Sequence, residues 1–336
     1  AAVACYRPPD ANTRADARAR DPRSPAMSAI ETKPDATTPR HPVARALVPM
    51  AALALLWGCN WPILKLAIGE IPPLTFRMVT LVFAGLGLLA LARASGDPIA
   101  IPRTWWPRLA VLAFFNITVW NGLVLFGLKE LPAGRSVILG HTMPVWATLL
   151  GVWLAHEPAN RRKLAGLALG MLGMALLIGE DLGLLRRRPF GAAMILGSSF
   201  AWAIGTVLLR KWKPPFPLVP LSGWMMVVGW LPLALLAPFF DDVHVGRLAS
   251  ASWVAWLGVL YNIALSGTLG HWAWFTLART LPSTVAGLSS LPVPVVGVFA
   301  SMIVLAERPG AVEWVALACV VGALAAVLWP QRGVSA

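Results

Sequence analysis

Few ionisable side chains fall well inside the long apolar runs of this 336-residue chain, and Lys65, Arg77, His141 and His271 are the candidates among them. A charge or titratable group at bilayer depth is costly, so each is by default a candidate for function. His141 lies eight residues into its run, ~12 Å deep at 1.5 Å per residue, and His271 sits near mid-depth of another. An imidazole there can contact a substrate or relay a proton near neutral pH, or simply be satisfied by a neighbouring backbone group. Lys65 and Arg77 stand close to the ends of consecutive runs. Two readings stay open for them: snorkelling to the outer interface, or lining an outer mouth that attracts an anionic group.

Polar groups without charge accompany them. Asn60, Asn116, Asn121, Asn262, Ser266, Thr268 and Ser290 interrupt apolar sequence, as do Trp57, Trp120 and Trp202. Asn116 and Trp120 are one helical turn apart and therefore share a face. Pro144, Pro292 and Pro294 remove the helical bonds to the carbonyls of Gly140, Leu288 and Ser290. Freed carbonyls at membrane depth are tolerated where protein or a wet cavity satisfies them. Together these residues are the candidate lining of a cavity, against the plainer alternative of interhelical hydrogen bonding and packing. No catalytic group is expected, and no metal or cofactor site: no Asp lies within any run, and no carboxylate–His cluster has ligand spacing.

The elements that must position these groups follow from composition. Charged residues make up only 13% and AVILMFWYC residues 57%, against roughly 25% charged in soluble domains, and mean hydropathy is +0.68. Most of the chain is therefore membrane. The net charge of +13 falls in the first 45 residues and at run ends, as cytoplasmic loops accumulate Lys and Arg, so nucleic acid is not expected as a partner. Residues 1–45 read as a disordered polar tail, with Met27 as the expected start of translation. Cys5, Cys59 and Cys319 have no paired spacing.

Ten runs near 46–68, 72–92, 105–128, 133–155, 162–180, 190–210, 217–240, 253–278, 283–305 and 311–329 are each about long enough to span a bilayer. They form two sets of five, 46–180 and 188–330. A gapless offset of 150 residues places Trp106 on Trp256, Thr118 on Thr268, Leu131-Pro132 on Leu281-Pro282, Pro144-Val145 on Pro294-Val295 and Glu157 on Glu307. At a slightly different offset Trp57 and Lys65 fall on Trp202 and Arg210. An odd number of spans per repeat inverts the second copy. The expected fold is all-α and integral to the membrane: ten helices as two inverted repeats, with a site between them, as in transporters. Basic residues near run ends favour cytoplasmic termini, although Arg186 to Arg188 fall on the opposite side.

Leu55-Leu-Trp-Gly-Cys-Asn60 with Lys65, the loop Glu70-Ile-Pro-Pro73, Arg77, and the fourth run from Gly134 to Glu157 resemble the EamA branch of the drug/metabolite transporter superfamily, over about residues 46–330. The resemblance implies a bacterial inner-membrane carrier, commonly exporting amino acids or other small metabolites. It also implies a central cavity built from the first four helices of each half, with the fifth and tenth outside. The expected partners are a small-molecule metabolite and the lipid bilayer. The small-residue series Gly166-x3-Gly170 and Ala193, Gly197, Ala201, Gly205 suit close helix packing; they allow a homodimer without requiring one. The rival classes are a channel, and a membrane enzyme or scaffold. An enzyme lacks its usual signatures here, such as Gly-x-Ser-x-Gly. With no mid-span carboxylate, energy coupling is expected to be either uncoupled exchange or proton coupling through His141 and His271.

Overall fold

In the computed structural model, residues 42–154, 161–180, 189–241, 248–280, 290 and 292–328 are described. The polar tail up to residue 41, Glu157 and the segment Leu281-Pro282 lie outside them, so the expectations resting on those residues have no structural counterpart. All regular structure among the described residues is helical. Among the described residues, seven helices are long and apolar enough to cross a membrane: Met50–Glu70, Pro73–Ala94, Arg103–Glu130, Ala133–Trp153, Phe190–Trp212, Leu218–Phe240 and Trp253–Phe275. Three shorter apolar helices cover Leu164–Leu177, Pro292–Leu305 and Ala311–Ala326. Large apolar side chains lie open on these helices, Ile303 at 83% and Phe239 at 82% exposure; in water such patches would aggregate, whereas lipid accepts them.

The first spanning segment is α1 (Pro42–Gly58) and α2 (Asn60–Glu70), interrupted only at Cys59. Next come α3 (Pro73–Ala94), then α4 (Trp106–Ala113) and α5 (Trp120–Glu130) joined by a π-helical turn at Phe114–Val119. The fourth segment breaks into α6 (Ala133–Gly140) and α7 (Met143–Leu154), and α8 (Arg161–Glu180) follows. The remainder comprises α9 (Pro189–Trp212), α10 (Leu218–Phe240), α11 (Trp253–Leu260), a second π-helical stretch Tyr261–Leu269, α12 (Gly270–Thr280), α13 (Pro292–Leu305) and α14 (Ala311–Leu328). Prolines open α3, α9 and α13, where the missing amide hydrogen costs nothing. After α3 the chain turns through Gly96 at φ +82°, and Asp97 N donates back to Ala92 O at 2.9 Å, the left-handed closure that glycine supplies at helix ends.

Lipid offers little hydrophobic drive for helix association, so small residues must bring backbones close. A Cβ on Gly85 of α3 would stand 3.0 Å from Gly223 O of α10. One on Gly173 of α8 would stand 3.1 Å from Ala316 O of α14. α3 thus packs on α10 and α8 on α14, while α1 packs on α13 and α9 on α6 and α7. The two π segments dock at corresponding positions: Thr118 Oγ1 donates to Gly229 O of α10 at 2.8 Å, and Thr268 Oγ1, which lies 2.8 Å from Ile263 O of its own segment, shares its hydrogen with Ala84 O of α3 at 3.3 Å.

Carboxylates strap one end of the bundle. Asp241, just after α10, accepts from Thr75 N at 2.6 Å and from Thr75 Oγ1 at 2.9 Å, in the first turn of α3. Glu307 accepts from Ala133 N and Gly134 N at 2.7 and 2.9 Å, at the start of α6. Glu70 accepts from Ser252 N and Oγ at 2.6 and 2.7 Å, just before α11. Each meets the unpaired amide hydrogens and positive end of a helix N-terminus, and each runs from one set of five segments to the other.

A Trp-walled chamber as candidate functional site

Residues from α1–α3, α5–α7, α9, α10, α12, α13 and the two π segments line a chamber of about 1020 Å³, its open mouth included. No described residue of α8 or α14 lines it. Nine of the ten residues singled out as cavity candidates do: Trp57, Asn60, Trp120, Asn121, His141, Trp202, Ser266, His271 and Ser290. The tenth, Asn116, is buried elsewhere, its Oδ1 only 1.8 Å from where a Cβ on Gly205 would sit. The shared face inferred for Asn116 and Trp120 assumed an α-helix. The π turn between them widens the helix and sends Trp120 to the chamber and Asn116 to α9.

The two mouth charges separate. Lys65 is half-buried, and its ammonium donates to the carbonyl of Leu131 in the turn between α5 and α6. Arg77 is 8% exposed and lines the chamber. Its Nη1 donates to Asn262 Oδ1 at 3.2 Å, its Cζ lies 5.5 Å from the Phe76 ring centroid, and its Nε is buried without a partner.

The helix-breaking prolines are not themselves in the lining. Pro144 sits in the first turn of α7, and the Gly140 carbonyl it frees accepts instead from Ser199 Oγ of α9 at 3.0 Å. The break at residues 141 and 142 leaves Gly140, His141 and Met143 on the chamber. Pro292 and Pro294 open α13; the Ser290 carbonyl accepts from Val293 N at 3.2 Å, and Ser290 and Val293 line the chamber.

Both histidines are held by their own helices. His141 Nδ1 lies 2.8 Å from Val137 O and His271 Nδ1 2.9 Å from Gly267 O. A carbonyl only accepts, so Nδ1 carries the hydrogen and Nε2 of the neutral ring is left as an acceptor. Aromatic rings complete the walls. Trp120 and Trp202 meet edge to face at 5.0 Å, and Trp57 meets His271 at 5.4 Å. Trp61 packs on Gly140, where a Cβ would be 2.6 Å from the indole. Asn262, Trp61, Thr80, Met143 and Met226 are further lining residues; Asn262 was visible as a mid-span polar residue, whereas Thr80 and the methionines carry no sequence signal that separates them from packing.

Residues 45–179 and 189–329 each match the EamA-like transporter family. The chain is similar to the uncharacterized transporter YvbV of Bacillus subtilis, 29% identical over 79% of this chain and 86% of that protein. It is also similar to a probable amino-acid metabolite efflux pump of Salmonella typhimurium, 25% identical over 76% and 85% of the two chains, and to the uncharacterized inner membrane transporter YedA of Escherichia coli K12, 26% identical over 85% and 92%. A protein of known crystal structure shares the fold, with a TM-score of 0.61 at 19% identity over 84% of this chain and 96% of its own. With spanning helices and two matching halves, the chain belongs to the EamA-like transporter family and is a multi-pass membrane transporter. Family and relatives alike point to transport rather than to an enzyme.

Proposed function

We propose that this transporter works by alternating access, exporting small amphipathic metabolites, amino acids included, across the bacterial inner membrane with both termini cytoplasmic. In this reading ten helices form two inverted five-helix repeats, the chamber is the substrate site, and Trp57, Asn60, Trp120, Asn121, His141, Trp202, Ser266, His271 and Ser290 contact the cargo. The observation that carries the reading is the chamber itself: apolar walls with a few convergent polar groups, the composition of small-molecule sites, contributed among the described residues by the first four segments of each set and by neither fifth.

Inversion is supported by paired docking. Thr118 and Thr268 are 150 residues apart, and their acceptors Gly229 and Ala84 are 145 apart, the spacing of Trp57 and Trp202. Each half thus reaches across to the other through equivalent atoms. The relative named as an amino-acid metabolite efflux pump supports the substrate class and direction.

The test is counterflow in proteoliposomes. Vesicles preloaded with a substrate should take up labelled substrate transiently against its gradient, and Ala at Asn60, Trp120, Asn121, His141, Trp202 or His271 should slow this at near-normal protein abundance. Flux that never exceeds equilibration would mark a channel.

A further inference from the structure

Arg77 is the one formally charged side chain on the chamber wall among the described residues. A guanidinium keeps its charge at any physiological pH, and removing it from water is expensive unless a counter-charge is supplied. None is supplied among the described residues. Its hydrogen-bond partner is the neutral Asn262 amide, the Phe76 ring offers only a quadrupole, and Nε is buried and unpartnered. The carboxylates of Glu70, Asp241 and Glu307 are engaged with helix N-termini at the strapped end. The cation therefore stands on the chamber wall with no counter-charge from the described residues.

Around it, Trp57, Trp61, Trp120 and Trp202 supply flat apolar walls. Rings prefer edge-to-face or offset contact with such walls, and the enclosed space suits one small molecule. No carboxylate among the described lining residues would receive an ammonium.

We infer that the chamber selects monoanionic carboxylic acids with an aromatic or bulky apolar body, the carboxylate paired with Arg77 and the body held among the tryptophans. This rests on the chamber being the substrate site. A guanidinium presents paired donors that match both oxygens of a carboxylate, which a lysine cannot reproduce. The monoanion brings the wall and cargo together to neutrality. A zwitterion leaves the net charge in place and buries an ammonium beside Arg77; a cation adds repulsion.

Four probes sharing one phenyl body separate these cases: 3-phenylpropionate, phenylalanine, 3-phenylpropionamide and 3-phenylpropylamine. Each is titrated calorimetrically into the purified full chain in nanodiscs. The acid should bind about tenfold or more tighter than the amide and the amine, and tighter than phenylalanine. Arg77→Gln should bring acid and amide to equal affinity, and Arg77→Lys should keep part of the preference. Failure of the acid to bind, equal binding of acid and amide by the unaltered protein, tighter binding of phenylalanine, or a preference that survives Arg77→Gln overturns the inference. The probe series in the unaltered protein decides even if the variants fail to fold. Counterflow of 3-phenylpropionate then tests the transport reading separately: selective binding without counterflow would sink that reading and leave the selectivity of the chamber standing.

Discussion

Lys65 and Arg77 look alike in the sequence, each a cation near the end of an apolar run, yet one closes on a backbone carbonyl and the other faces the chamber. What separates them is which neighbouring helix covers them, and that is information about tertiary structure. The remaining lining was more legible. Polar and aromatic groups are rare enough in apolar runs that Asn60, Asn121, Ser266 and both histidines stood out by type alone. The histidines carry a prediction at this scale. Each commits Nδ1 to its own helix, so a proton would have to enter and leave through Nε2 alone, with no carboxylate beside it on the described wall. Uptake into proteoliposomes should therefore be indifferent to an imposed pH gradient, in the unaltered protein and in a His141→Gln, His271→Gln double variant. Gradient-driven accumulation that disappears in the double variant would assign proton relay to these rings.

Helices were readable from run length, and their breaks only in part. Pro144 announced the interruption between α6 and α7, because a proline removes a specific bond. The first π segment announced nothing: Phe114–Val119 holds no proline or glycine to mark a departure from the α-helix, and the extra residue shifted Asn116 off its expected face. The straps were also unread, since Asp241 and Glu70 look like ordinary loop acids; Glu307 had drawn notice only as the end of a repeat. Replacing Glu307 with Ala leaves two amide hydrogens of α6 without their acceptor and should cost about 1–2 kcal/mol, seen as a lower melting temperature in detergent. An unchanged melting temperature would mean that water replaces the carboxylate at no cost. Packing faces make a contrasting prediction. A Cβ at Gly170 would meet Val145 Cγ2 at 2.1 Å, so Gly170→Leu should lower the amount of folded protein, whereas alanine at the chamber positions should not.

At the scale of the molecule, the account rests on two halves that exchange contacts reciprocally around a chamber. α8 and α14 pack together outside it. The three straps join the halves at one end, so under the proposed alternating access opening that end breaks them while the chamber closes at the other. The direct test places one cysteine on the chamber wall, Ser266→Cys, in a chain whose Cys5, Cys59 and Cys319 are replaced by serine. A membrane-impermeant thiol reagent is applied to right-side-out and to inverted vesicles, with and without saturating transported substrate. Alternating access predicts labelling from either side, slowed by substrate, with the reagent itself never crossing the bilayer. Labelling from one side alone, under every condition, would contradict it.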